Sequence, residues 1–448
     1  MNMGRRCSVF ITYCAAVILF CVPRQSEADE TISWEDSVRE ARSGHPDLVS
    51  ASEKINQSIS SKNIAESAYL PNITGTVSEL TAKKGSSRSG SQSSETTASS
   101  SAGTAGPKKN HSTQYDYGVD GKQLIFDGFK TVNDIASAKM DITGAEYNYQ
   151  VTSSNVRLRL RSAYVGLWAA EKILAVSEEI EASLRETLDL VRLRYEGGME
   201  HKGALLTSES DLARAVFEVN QAKRAIYLAQ RQLTKELGRD KFSALRAGGE
   251  FGIKDADRER PDFENICATV PILRQLAAQK EAAKYGVKSA LGSFFPAIYA
   301  TGSLGNSGTD VFPERNGWSA GTSLSIPRFE GGSNAASYQK AKAVFGQAEA
   351  DEKSGRDGVI YTMANTWTVL ENAIDNVDVT RIALKAAIER EKIAEAEYSL
   401  GLITYDNWII IENNLVEAKR ALIASERDAL MAEANWVQAK GGTLDHDK

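Results

Sequence analysis

The 448-residue chain contains one long segment twice, and this internal repeat constrains its fold more than any other feature. Four motifs recur in the same order, with a spacing of 225 residues for the first two and 203 residues for the last two. The matching motifs are Pro46-Asp47-Leu48 with Pro271-Ile272-Leu273, Tyr69-Leu70-Pro71 with Phe294-Phe295-Pro296, Phe126-Asp127-Gly128 with Phe329-Glu330-Gly331, and Tyr195-Glu196-Gly197-Gly198 with Tyr398-Ser399-Leu400-Gly401. The change in spacing falls across a Ser/Gly/Thr-rich tract at 85–106. We therefore predict repeat one at 29–247, a linker at 248–260, repeat two at 261–443 and a tail at 444–448.

The N-terminus has the three parts of a secretory signal peptide. Two arginines precede an apolar run at 9–22, and a small-x-small sequence follows at 26–28. The apolar run is too short to cross a bilayer core of about 30 Å as a helix. We predict a cleaved signal peptide at 1–28 and an exported mature chain. Lipidation of Cys21 stays open, although the bulky Phe20 before it is unfavourable for that processing.

Charge and composition exclude several classes of function. The formal net charge of −6 provides no basic field for nucleic acid, so we expect no nucleic-acid partner. Three of the four cysteines lie in the signal peptide, which leaves Cys267 without a partner for an internal disulfide. No nucleotide-binding or hydrolase motif is present, and the histidines lack the spacing of metal ligands. These histidines are His45, His111, His201 and His446. We predict no cofactor, no bound metal and no enzymatic activity, with a hydrolase using distant carboxylates as a minor alternative.

Proline placement predicts very long helices. The intervals 108–260 and 328–448 contain no proline, which is the strongest breaker of helix interiors. Apolar residues recur at seven-residue intervals there, as in helices that pack as coiled coils. A continuous helix of this length would reach about 100 Å. The glycines at 197–198, and the corresponding residues 400–402, are typical of a turn after which a second helix runs back. Each repeat is therefore predicted to contain a long helical hairpin.

The segments before each hairpin alternate between apolar and small polar residues, which is the two-residue period of a strand. We predict strands at about 72–80, 115–126, 297–305 and 318–327, with a loop at 81–114. One apolar and one polar face is what a strand in a lipid-facing barrel wall requires. The residues predicted to face lipid are Tyr115, Tyr117, Val119, Ile298, Trp318, Leu324 and Ile326.

Four strands are too few to close a membrane barrel, whose smallest form has about eight. An open sheet in lipid would leave edge N–H and C=O groups unpaired, at a cost of several kcal/mol each. The chain is therefore expected to assemble with copies of itself. Two copies would supply eight strands around a filled interior, whereas three would supply twelve around an aqueous lumen.

Several motifs together resemble the TolC-type outer-membrane efflux and secretion channel family. In repeat one they are WEDSVREA at 34–41, HPDL at 45–48, AYLP at 68–71, QLIFDGF at 123–129 and LRYEGGM at 193–199. In repeat two they are PIL at 271–273, FFP at 294–296, IPRFEGG at 326–332 and EYSLGLITYDNWIIIENNL at 397–415. Each motif is loose, but their order and duplication are specific and span nearly the whole mature chain.

The resemblance implies a mainly α fold with a membrane β-barrel portion. It further implies a homotrimer whose 12-stranded barrel in the outer membrane continues into a periplasmic α-helical barrel. Such a channel is a passive conduit that works with a periplasmic adaptor (a membrane fusion protein) and an inner-membrane transporter. The family contacts its adaptor at the hairpin turns, where this chain has Gly197, Gly198, Met199, Leu400, Gly401 and Leu402.

Only part of the family's periplasmic gate has a counterpart in this chain. In the best-known members, carboxylates six and nine residues beyond the second tip glycine line the closed entrance, but this chain has Asn407 and Ile410 there. We therefore take Asp406 and Asn407 as the candidate gate. Further carboxylates that could face the lumen are Asp211, Glu209 and Glu412.

One alternative of another class stays open, a soluble periplasmic coiled-coil scaffold or adaptor whose hairpins pack on its own core. The sequence also leaves open the cargo, the cognate pump, and whether the role is efflux or type I secretion.

Overall fold

A computed structural model of the chain describes residues 30–83, 111–249, 260–314 and 316–445. The predicted signal peptide lies outside these residues, as do the Ser/Gly/Thr-rich tract, most of the predicted linker and the last three residues of the predicted tail.

Helices and strands follow one another in the same order in the two repeats, apart from two short strands that, among the described residues, occur in repeat one alone. Repeat one contains β1 (Glu30–Ile32), α1 (Trp34–Gly44), α2 (Pro46–Ser67), β2 (Asn72–Lys83), β3 (His111–Phe126), α3 (Lys130–Glu196), α4 (Lys202–Leu237) and β4 (Leu245–Ala247). Repeat two contains α5 (Phe263–Cys267), α6 (Pro271–Gly292), β5 (Ala297–Gly308), β6 (Asn316–Ser325), α7 (Ser333–Ser399) and α8 (Tyr405–Ala439). The helices α3 and α7 have 67 residues each, α2 and α6 have 22 each, and β2 and β5 have 12 each. The predicted duplication, with two strands and one long helical hairpin per repeat, is confirmed.

Four strands form one antiparallel sheet in the order β2-β3-β5-β6. Because β3 belongs to repeat one and β5 to repeat two, the repeats are joined at the centre of the sheet. The strands β2 and β6 form its two edges within one chain. The ladder is regular except for a bulge between Leu124 and Phe126.

The observed strands differ in extent from the predicted ones. The predicted loop at 81–114 is shorter at both ends, because Thr81 pairs with Thr113 and their hydroxyl oxygens are 3.0 Å apart. The mostly polar residues at these ends show no apolar alternation from which to predict the extra pairs. Conversely, Ile326 was predicted inside the fourth strand but lies just after the end of β6.

The helix α3 lies at the centre of the helical part and packs against α2, α4, α6 and α8. Arg159, halfway along it, contacts Asp47 at the start of α2 and donates a 3.2 Å hydrogen bond to Glu236 at the end of α4. The short helix α2 and the end of α4 therefore meet beside the same residue of α3. The carboxylate of Glu236 is buried and also lies 3.6 Å from the His45 imidazole.

A small second sheet joins the start of the described chain to the end of repeat one. Its strands β1 and β4 are parallel. The buried Tyr164 hydroxyl lies 2.9 Å from the Ile32 carbonyl oxygen and 2.6 Å from that of Gly248, and burial raises the pKa of Tyr164 to about 12. Leu444, which we predicted to be in a tail, is buried in the core beside this sheet, and its N–H donates to the Ser153 hydroxyl. Within the described residues, no helix combines the length and the hydrophobicity needed to cross a membrane.

Candidate functional site: the hairpin tips and the sheet faces

The first hairpin tip is a tight glycine turn between α3 and α4. The Gly198 N–H donates to the Tyr195 carbonyl oxygen at 3.0 Å, and the Met199 N–H donates to that of Arg194 at 2.8 Å. This pair of bonds is the Schellman motif, which ends a helix on a residue of left-handed conformation. Gly198 has that conformation, with φ of 73°, whereas Gly197 has φ of −77° and does not require glycine.

The second hairpin tip has the same geometry. The Gly401 N–H donates to the Tyr398 carbonyl oxygen at 3.0 Å, and the Leu402 N–H donates to that of Glu397 at 2.9 Å. Gly401 is again left-handed, with φ of 75°. Both tips leave apolar side chains in contact with solvent in a single chain. These side chains are Met199, Leu400 and Leu402, each at least 68% exposed.

The two tips lie side by side. The Arg194 guanidinium donates a 3.0 Å hydrogen bond to the Tyr398 carbonyl oxygen and lies over the Tyr398 ring, 4.7 Å from its centroid. The Tyr398 hydroxyl donates a 3.2 Å hydrogen bond to Glu200, a residue just beyond the first turn. Burial, together with the Glu200 charge, raises the pKa of Tyr398 to about 12. The two repeats are thus joined by polar contacts at the tips.

An aromatic cluster supports these contacts. The Tyr398 ring stacks on Trp408 with centroids 4.5 Å apart, and Tyr405 packs edge-on against both rings. All three rings are buried, and burial raises the pKa of Tyr405 to about 12. Stacked aromatic pairs contribute about 0.5–1.5 kcal/mol beyond the area they bury, so the start of α8 is held rigidly against the end of α7.

The candidate gate residues lie on the first turn of α8. Asp406 and Asn407 are both exposed, and they sit between the buried Tyr405 and Trp408 in the sequence. A carboxylate at this position also interacts favourably with the N-terminal end of the helix dipole. Glu412 does not face an open lumen, because its side chain is 6% exposed and held between helices.

The four-stranded sheet has one apolar face. Cross-strand partners share a face, and the register pairs Val119 with Leu304, and Leu304 with Trp318. The register places six of the seven residues predicted to face lipid on this face, together with Ile73 and Val77 of β2. These six are Tyr115, Tyr117, Val119, Ile298, Trp318 and Leu324. Ile326 lies beyond β6 and is exposed.

The opposite face of the sheet is polar. The Ser303 and Ser319 hydroxyl oxygens are 2.8 Å apart across β5 and β6. The Lys122 ammonium lies 4.0 Å from the centroid of the Tyr299 ring on the neighbouring strand. Asp116 and Asp120 belong to the same face of β3. The sheet thus separates an apolar surface from a charged and hydroxyl-rich one.

Exposed aromatic and apolar side chains surround the end of the sheet where strands and helices meet. They are Tyr69, Leu70, Phe129, Phe294, Phe295 and Phe329. Outer-membrane proteins carry such a girdle at the membrane–water interface.

The contact between the tips was not predicted from the sequence. Arg194 and Tyr398 each stand within a motif that we used for the repeat or the resemblance, but 204 residues separate them. The aromatic residues at 398, 405 and 408 were a partial indication, because they flank the predicted turn at 400–402 and could pack together across it.

Long helical hairpins that carry a sheet with one apolar and one polar face are the architecture of a membrane channel protein. The chain matches the family "Outer membrane efflux protein" over residues 37–239 and 264–442, and it belongs to that family. It is an outer-membrane efflux channel of the TolC type, with its sheet in the outer membrane and its helices in the periplasm.

Similar proteins agree with this assignment. The outer membrane efflux protein BepC of Brucella suis is 24% identical over 391 residues, which are 84% of this chain and 78% of BepC. The CmeC outer membrane channel of Campylobacter jejuni has the same fold, with a TM-score of 0.77 and 18% identity over 91% of this chain and 85% of CmeC. The channel CusC superimposes with a TM-score of 0.77 and 15% identity over 91% of each chain.

Proposed function

We propose that three copies of this chain enclose one passive conduit, which receives its cargo from an inner-membrane transporter through a periplasmic adaptor. The observation that carries this proposal is the four-stranded sheet with an apolar face and two edges, β2 and β6, that pair with no other strand within the described part of the chain. In lipid each unpaired backbone group costs several kcal/mol. Pairing β6 of one copy with β2 of the next removes both edges, and three copies give a closed barrel of twelve strands.

The helices support the same arrangement. Leu206, Phe217 and Leu228 of α4 are exposed and spaced at eleven residues, so they form one stripe along the helix. On α7, Ile382 and Ile393 are exposed at the same spacing. Within one chain α4 packs mainly on α3, and α7 mainly on α6 and α8. These stripes are therefore available to neighbouring copies, which would bury them against each other.

The polar face of the sheet is the face that would line the pore. An aqueous passage requires small polar and charged side chains on its wall, and those of β3, β5 and β6 meet that requirement. The conduit needs no chemistry of its own. The energy for transport would come from the inner-membrane partner.

The adaptor would bind at the hairpin tips. Glycine there allows close approach to the backbone, and the exposed Met199, Leu400 and Leu402 supply apolar contacts. We take Gly197, Gly198 and Gly401 as the rest of this contact.

Asp406 and Asn407 would line the periplasmic entrance. Three copies of Asp406 would form a ring of carboxylates, which favours cations over anions. Replacing Asp406 with asparagine should lower the ratio of cation to anion permeability measured from reversal potentials in a salt gradient. An unchanged ratio would show that Asp406 does not line the pore.

Conductance tests the conduit directly. The mature protein, purified from outer membranes in detergent, should produce discrete current steps of uniform size in a planar bilayer. A soluble scaffold or adaptor, the alternative function, would fractionate without membranes and produce no steps.

A further inference from the structure

An acidic groove of about 530 Å³ lies between α3, α7 and α8, near the helix ends that form the tips. Its carboxylates come from all three helices. They are Glu179 and Glu186 on α3, Glu391 and Glu395 on α7, and Glu412 on α8. No part of the conduit proposed above uses this groove.

Glu412 is the unusual member of this set. Its side chain is 94% buried, and one carboxylate oxygen accepts a 3.0 Å hydrogen bond from the Ser183 hydroxyl. The other oxygen, Oε2, is also buried and has no hydrogen-bond partner. A buried acceptor without a partner costs about 1–3 kcal/mol, and more when it is charged. A hydrogen-bond donor or a cation in contact with Oε2 would offset this cost.

The surrounding negative charges increase the free-energy cost of ionised Glu412. Burial, and then the charges of Glu391, Asp211 and Glu395, raise the pKa of Glu412 above the ordinary carboxyl range, against the opposing effect of the Ser183 hydrogen bond. Burial and the adjacent Glu395 likewise raise the pKa of Glu391.

The two lysines of the groove do not satisfy Glu412. Lys419 donates to Glu179 at 3.0 Å, and Lys392 donates to Glu389 at 3.1 Å. The groove therefore holds more negative than positive charge, with its most buried carboxylate facing inward. The apolar part of its wall comes from Ile180, Leu190, Leu415, Val416 and the Trp408 ring, and the hydroxyl groups of Ser183, Thr187 and Ser399 also line it.

We propose that this groove binds a small organic ammonium ion, whose charged group contacts Glu412 and Glu391 and whose hydrocarbon body packs against Trp408 and Leu415. An ammonium group offers a positive charge that would balance the buried carboxylate. An aromatic ring beside it is a second attractive surface for such a cation. Among the described side chains, no group of three or more His, Cys, Asp or Glu is placed to hold a metal ion.

Isothermal titration calorimetry of the detergent-solubilised mature protein with benzyltrimethylammonium tests this site. We expect saturable binding with one ion per chain at pH 8. Glu412→Gln keeps the shape and the Ser183 hydrogen bond but removes the charge, and it should weaken binding at least tenfold. Glu391→Gln, at the more accessible side of the groove, should also weaken it and serves if the first variant does not fold.

Glu417→Gln is the matched control, because Glu417 lies on α8 but is exposed and does not line the groove. This variant should bind as the wild type does, and the neutral analogue benzyl alcohol should give no saturable heat. Wild-type affinity in both groove variants would overturn the proposal, as would an equal loss in the control. Tighter binding of Mg²⁺ through Glu412 and Glu391 would also overturn it, by showing an inorganic cation site. None of these results depends on pore formation.

Discussion

Arg194 and Tyr398 join the two hairpin tips of one chain, through a 3.0 Å hydrogen bond from the guanidinium to the carbonyl oxygen of Tyr398. The bond spans the two repeats at the end of the molecule where we place the adaptor contact and the entrance. A charged donor on a carbonyl is worth about 1.5–3 kcal/mol. Arg194 therefore makes a substantial contribution to the relative position of the two tips, beside the hydrogen bond from Tyr398 to Glu200.

Replacing Arg194 with alanine should loosen both tips without unfolding the helices. We expect amide hydrogen exchange at 195–200 and 399–404 to accelerate at least tenfold, since about 1.4 kcal/mol corresponds to a factor of ten. Arg192→Ala is the control, because Arg192 is exposed and its ion pairs, at 3.7 Å and 3.9 Å, are long. Equal exchange in the two variants would show that the Arg194 contact does not hold the tips.

Substitution of the left-handed glycines separates adaptor binding from assembly. A bulky residue at Gly198 or Gly401 strains the turn by about 1 kcal/mol and blocks close approach to the backbone. We expect trimers to persist while export falls. Gly197→Ala should preserve the turn and the trimer, because the φ of Gly197 suits any residue. Normal export by both bulky variants would argue against adaptor docking at the tips.

The two faces of the sheet should respond differently to the same charge. Leu304→Arg places a cation on the apolar face, at a cost of about 2–4 kcal/mol in the middle of the membrane, so the amount of trimer in outer membranes should fall sharply. Ser303→Arg places the cation on the opposite face. Trimers should still form with this variant, but their conductance for cations should be lower. Reversed effects of these neighbouring substitutions would mean that the assigned faces are exchanged.

The pH dependence of stability should change when Glu412 becomes glutamine. Because the pKa of Glu412 is raised in the folded protein, the folded state holds this proton more tightly than the unfolded state does. Its contribution to stability therefore increases as the pH falls from above the raised pKa toward the ordinary carboxyl value. We expect Glu412→Gln to be more stable than the wild type at pH 8, by roughly 1 kcal/mol.

That advantage should shrink at pH 5, as measured by thermal unfolding in detergent at both values. A variant that is less stable than the wild type at pH 8 would contradict the unpaired, buried state of this carboxylate.

Local patterns in the sequence were sufficient to predict the two long helical hairpins and the four strands of the larger sheet. Proline-free intervals and the glycine turns marked both hairpins, and the two-residue alternation marked all four strands. The pairing of β3 with β5 could not be predicted this way, because it joins residues such as Val119 and Leu304 that are far apart in the chain. The same holds for the contact of Arg194 with Tyr398. The burial of Leu444 and Glu412 depends on which helices pack together, which no local pattern specifies.

The number of chains in the membrane-extracted complex tests the central proposal most directly. Native mass spectrometry of the detergent-solubilised mature protein should give three times the mass of one chain. A monodisperse monomer that is stable in buffer without detergent would contradict it, because one chain supplies four strands and cannot enclose a pore.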